Sequence, residues 1–191
     1  MLWEENYNLK YTIFDQYCFF IKFKAPNHQE LTDFVLNKEE VYHQYDWTDI
    51  CEINTIKCTW QETIQLLTPS VNQFASSIGK SFKWTIYNPW INCYQKGQFQ
   101  EIHDHLQYDF SCVFFPKVEE NFSQFYFYNR YANSLSKSWL NLFGVVSSWD
   151  PIVESGDIMF FPGTLLHGVT PHKSDEVRKT LSCNFDFDLS N

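Results

Sequence analysis

From residue 82 onward the hydrophobic period of the chain changes from about 3.6 towards about 2. The stretches "FKWTIYN", "WINCY", "EIHDHLQ", "FSCVFFP", "SQFYFYN", "GDIMFFP", "LLHGVTP" and "RKTLSCNFDFDL" are short runs rich in β-branched and aromatic residues, broken by Pro, Gly, Asn and Asp. Such runs specify antiparallel strands that close into a sandwich or barrel. The expected fold is mainly β, a jelly-roll core over residues 82–187 behind a helical or mixed support layer over residues 1–80.

In that first layer, "YTIFDQYCFFIKFKAP" reads as an opening strand that ends at Pro26. Asn27 is placed to cap a helix over "HQELTDFVLNKEEVY", where Leu31, Phe34 and Val35 share one face. Thr59 and Glu62 have capping-box spacing, Thr68 reads as a cap with Pro69 at the first helical position, and Gly79 can end the helix. Residues 130–151, rich in Ser, Asn and aromatics, interrupt the strand rhythm and read as an insertion, with Trp139, Phe143 and Trp149 available for contact with a substrate. No internal repeat or linker divides the chain, so residues 1–191 are taken as one domain.

Charge narrows the partners. With 23 acidic against 14 basic residues, a formal charge of -9, the surface field repels nucleic-acid backbones and anionic lipid. No stretch approaches the roughly 20 apolar residues of a membrane helix, and the start lacks a basic and apolar signal sequence. The expectation is a cytoplasmic protein with a small-molecule or peptide substrate, a homodimer being left open. Six cysteines form no CxxC pair and several lie in apolar runs, which suits buried, reduced thiols.

The chemistry begins at "EIHDH". Alternate residues of a strand face the same way, so His103 and His105 can aim at one point while Asp104 faces away. His167 follows 62 residues after His105, at the start of a strand that a jelly roll can bring alongside. Three neutral imidazoles suit Fe, Cu, Ni or Zn. Asp109 could add an oxygen ligand or hold an imidazole from behind. His172 is expected in an exposed turn, and His28 and His43 in the helical layer, none of them at the metal.

These residues also carry a resemblance. "YQKGQFQEIHDH" is similar to the Y-x-x-G-Q-x(4)-H-x-D stretch of the iron(II) and 2-oxoglutarate dependent oxygenases related to prolyl hydroxylases, with Tyr94, Gly97, Gln98 and His103 in register. "GDIMFFPGTLLHGVTPHKSDEVRKT" resembles their G-x(4)-F-P-x(4)-H-x-V followed by R-x-[ST], through Gly156, Phe161, Pro162, His167, Val169, Arg178 and Thr180. The stretch from Asn92 to Phe115 looks most like a branch of small 2-oxoglutarate oxygenases of marine bacteria and phages. The resemblance covers roughly residues 84–187 and implies a double-stranded β-helix with Fe(II) as cofactor and 2-oxoglutarate as cosubstrate. It implies hydroxylation of an unactivated C–H bond with release of succinate and CO2. One departure is plain: His105 stands where these enzymes carry a carboxylate, which raises the charge of the site by one unit.

On the last run Arg178, Thr180, Ser182 and Asn184 alternate onto one face, with Leu181 on the other. A guanidinium beside a hydroxyl is a seat for the distal carboxylate of 2-oxoglutarate, with Asn92 and Tyr94 as further candidates. Alternatives stay open here. Arg178 can instead pair with Asp175 or Glu176 at the surface, and Tyr94 can simply pack. The spacing of Gly97, His103, His105 and Asp109, and of Pro162 and His167, also resembles cupins, which implies a metal-dependent dioxygenase or isomerase. A non-catalytic jelly-roll binding protein is the third reading.

Overall fold

The computed structural model describes residues 18–39, 43–44, 53–79 and 82–188. Its elements in chain order are β1 (Ile21–Lys24), α1 (His28–Asn37), β2 (His43–Gln44), β3 (Asn54–Lys57), α2 (Trp60–Ser77), β4 (Lys83–Tyr94), β5 (Gln100–His103), β6 (Phe110–Phe115) and β7 (Phe125–Tyr128). A short 3-10 turn and α3 (Lys137–Phe143) precede β8 (Ser148–Trp149), β9 (Asp157–Pro162), β10 (His167–Val169) and β11 (Arg178–Asp188).

Two antiparallel sheets face each other. The larger runs β1-β9-β6-β11-β4-β3-β2 and the smaller β5-β10-β7-β8. This is the double-stranded β-helix expected from the sequence. The central strands β6 and β9 of the larger sheet are buried on both faces, which explains why they read as unbroken apolar runs rather than alternating ones. Ile91, Cys93, Phe114, Phe160 and Phe185 pack beneath the helices against Leu31, Val35, Leu67 and Phe74. Tyr94, Val113, Phe115, Met159 and Phe161 point the other way, into the barrel. Phe74 joins the layers by stacking on Phe160 at 4.7 Å between ring centroids.

Several local expectations change. The two apolar runs from Phe82 to Tyr94 form one strand, β4, whose register shifts between its Ser182 and Asn184 partners. One continuous helix, α2, spans both proposed caps. Its capping box at Thr59 and Glu62 is complete, whereas Thr68 is internal and gives its hydroxyl proton to the Ile64 carbonyl at 2.6 Å. Pro69 is therefore inside the helix, tolerated because Phe74, Val71 and Leu67 bury one face along its whole length. Gly79 follows with φ +65°, a backbone that favours glycine. Asn27 does precede α1, but its amide donates to the Leu66 carbonyl at 3.0 Å, tying α1 to α2 instead of capping. His43 lies in β2 rather than a helix, and Cys51 falls outside the described residues.

Candidate active site

Register brings the first two imidazoles together. His103 on β5 and His167 on β10 are direct partners across an antiparallel pair, so their side chains rise from the same face of the smaller sheet, with ring centroids 4.3 Å apart. His105 lies just beyond β5, where the chain turns back over the barrel mouth, and its ring is 5.2 Å from each of the other two. The ligand atoms of the three all lie within 4.8 Å of one another.

Each ring is held in a definite state. Nδ1–H of His103 donates to the Glu101 carbonyl at 2.7 Å and Nδ1–H of His167 to the Leu165 carbonyl at 2.9 Å, which leaves Nε2 of both with a lone pair for a metal. His167 is wedged between Phe125, stacked at 5.3 Å, and Phe161, edge-on at 4.9 Å. His105 lies against Trp90 at 5.9 Å. Burial pushes all three below the ordinary imidazole range, His105 to about 4 with its neighbour His103 adding to the effect. Neutral rings are what coordination needs.

The carboxylates nearby are occupied elsewhere. Asp104 faces away and pairs with Arg130 at 3.2 Å. Asp109 accepts from the backbone N–H of Phe187 at 2.9 Å, so it braces β11 and does not join the histidine group. His172 is 2% exposed, not in a solvated turn: Nε2–H donates to the Glu176 carbonyl at 2.7 Å, and Nδ1 accepts from the Ser123 amide at 3.1 Å. His28 stands at the start of α1, with Nδ1 against the Ala25 carbonyl at 3.2 Å.

Deeper in the barrel, a small hollow of about 20 Å³ is lined by the three histidines together with Asn92, Tyr94, Arg178, Thr180 and Ser182. Arg178 is 3% exposed, and the partners suggested for it at the surface are taken: Asp175 pairs with Lys96 and Glu176 with Lys117. Its guanidinium lies 4.9 Å over the Tyr94 ring, and its buried Nη1 has no hydrogen-bond partner. Burial lowers its pKa. A buried cation with an unused donor is costly unless an anion completes it. The Tyr94 hydroxyl donates to Gln100 Oε1 at 2.9 Å, and the Asn92 amide donates to Ser182 Oγ at 3.2 Å. The donor set thus fits an Fe(II) ion at one end of the hollow and a carboxylate at the other.

Trp90 and Gln100 are among the lining residues not singled out from the sequence. Trp90 follows from the β4 alternation with Asn92 and Tyr94. Gln100 does not, because it is an odd number of residues from His103; a register shift in the β5–β10 pair gives β5 one extra residue and turns both inward. The insertion at 130–151 carries α3 and returns to the smaller sheet as β8, where Trp149 lines an apolar groove with Phe20 and Phe127. Trp139 is exposed on α3, and the Phe143 side chain lies outside the described residues.

Among solved structures, an oxidoreductase of the 2OG-Fe(II) oxygenase family from Burkholderia pseudomallei is 14% identical, with TM-score 0.65 over 87% of this chain and 84% of its own. The non-heme alpha ketoglutarate dependent carbocyclase SnoK of nogalamycin biosynthesis is 13% identical, with TM-score 0.64 over 88% and 79%. A prolyl hydroxylase from Trichoplax adhaerens, in complex with a hypoxia inducible factor peptide, is 14% identical, with TM-score 0.63 over 87% and 83%. No curated protein matches the sequence. The family described as "Putative 2OG-Fe(II) oxygenase" matches residues 88–184, just over half of the chain and including all three histidines and Arg178. This chain belongs to the 2-oxoglutarate and Fe(II) dependent oxygenases.

Proposed function

We propose that the chain hydroxylates a C–H bond of a small molecule, with Fe(II) held by His103, His105 and His167 and 2-oxoglutarate seated on Arg178. The observation that carries this is the buried, incompletely bonded guanidinium in the same hollow as three neutral imidazoles. Thr180 and Tyr94 flank the carboxylate end, while Asn92 and Ser182 keep the wall polar between the two ends. Bound together, the metal and cosubstrate supply O2-dependent hydroxylation, in which 2-oxoglutarate is converted to succinate and CO2 as the substrate gains its hydroxyl. The protein orients the imidazoles through their Nδ1–H bonds, pairs the distal carboxylate, and keeps water out with Phe115, Phe125 and Phe161.

A cytoplasmic setting accompanies this reading, supported by the buried thiols of Cys93, Cys112 and Cys183, which form no disulfide. No described helix is long and apolar enough to cross a membrane. The helical layer and the barrel are taken to act as one domain, since α2 packs directly on β4. The test is succinate formation from 2-oxoglutarate after anaerobic reconstitution with Fe(II) and admission of O2. Succinate above the metal-free control is expected. Its complete absence from a folded, iron-loaded protein would leave a binding role in place of catalysis.

A further inference from the structure

A second hollow, of about 410 Å³, opens against the same histidine group and shares Trp90, Asn92, Gln100 and His105 with the first. Its size matches pockets for small molecules rather than for extended chains. Among the described residues that line it, none is Lys or Arg, and its one carboxylate, Asp104, is already paired with Arg130.

The polar groups it offers include four amides, of Asn92, Gln100, Gln107 and Asn184, beside the Thr55 and Tyr108 hydroxyls, and two of the amides are oriented. Asn184 Oδ1 accepts from the Ser111 hydroxyl at 2.8 Å, and Gln100 Oε1 accepts from the Tyr94 hydroxyl at 2.9 Å, so the NH2 group of each is left to donate. Trp90, Tyr108 and Leu106 supply apolar wall, and Gln107 stands exposed at the rim. Among the described lining residues an anion would find no Lys or Arg to replace its hydration, and a cation would meet an acid already neutralised.

We propose that this hollow is the substrate pocket and that the substrate is an uncharged small molecule, presenting carbonyl or hydroxyl oxygens to Asn184 and Gln100 beside a ring or aliphatic body on Trp90 and Leu106. The inference rests on the oxygenase reading for its chemistry but not for its binding.

The two can be tested separately. Saturation-transfer NMR on the metal-free protein would use a fragment set of matched pairs, each a neutral ring carbonyl or glycoside beside its carboxylate or phosphate analogue. Neutral members should give the hits, and Leu106→Trp, at an exposed position, should remove them by filling the hollow. Gln107→Arg should move the preference at least about tenfold towards the anionic partners by adding the missing cation. Hits mainly among anions, hits that survive Leu106→Trp, or no hits at all would overturn the assignment. Neutral hits that bind in this way yet never raise succinate formation in the iron-loaded enzyme would leave the pocket assignment standing and count against the catalytic reading.

Discussion

The backbone amide of His105 donates to the carbonyl oxygen of Gly163 at 2.7 Å, so the one imidazole outside a strand is held by the turn that leads into His167. The approach is close enough to require glycine. A Cβ on residue 163 would lie 2.7 Å from the His105 carbonyl oxygen and closer still to that of Tyr108, both of them backbone atoms with little freedom to yield.

Gly163→Ala should therefore displace His105 while leaving the His103–His167 strand pair in place. Metal affinity is expected to fall about 10- to 100-fold, the range seen when a ligand's supporting contact is lost. Anaerobic Fe(II) titration beside circular dichroism would check this. Unchanged affinity in a folded variant would mean that the turn does not position the site.

The metal-free protein should lose stability as the pH falls. Burial depresses the imidazole pKa values, that of His105 from 6.5 to about 4, so the unfolded chain binds more protons than the folded one between those limits. Stability from this source is complete above pH 6.5 and is lost as pH falls towards 4. Melting temperatures measured from pH 7.5 to 4.5 should slope downward below about 6.5, and less steeply in His105→Gln. A flat wild-type profile would contradict the burial argument.

His105→Asp should tighten Fe(II) binding, by about tenfold or more, because it restores a hard oxygen ligand and lowers the charge of the site by one unit. His103→Ala and His167→Ala should abolish iron binding without unfolding the protein. If His105→Asp and His105→Ala bind iron as the wild type does, His105 is not a ligand.

The strand pattern made the double-stranded β-helix legible, and two separated motifs pointed to the three histidines and Arg178. Their convergence was harder to read because it depends on pairing between distant strands: His103 meets His167 only through the β5–β10 register. A one-residue bulge hid Gln100, since period-2 reasoning assigns it to the wrong face. Asp109 was misjudged for a related reason. Proximity in sequence to His105 suggested a shared site, but the turn between them directs Asp109 towards the Phe187 amide of β11. Pro69 looked like a helix start because local propensity favours it there, yet burial along α2 outweighs the lost hydrogen bond.

Arg178→Met separates function from stability most sharply. The substitution keeps much of the apolar stem and removes a buried guanidinium whose Nη1 has no hydrogen-bond partner. Loss of the charged seat should weaken 2-oxoglutarate binding by about 2–5 kcal/mol, roughly 30-fold to several thousand-fold. Metal binding should change little, because the three imidazoles do not depend on the guanidinium. The melting temperature of the cosubstrate-free protein should hold or rise, since an uncompensated buried charge has been replaced by an apolar group. Calorimetric titration of 2-oxoglutarate into the Mn(II)-loaded protein, beside thermal melts without it, reads both quantities. Equal affinity for wild type and variant would remove Arg178 from the cosubstrate site. A large fall in melting temperature would show instead that the guanidinium is a structural strut of the barrel.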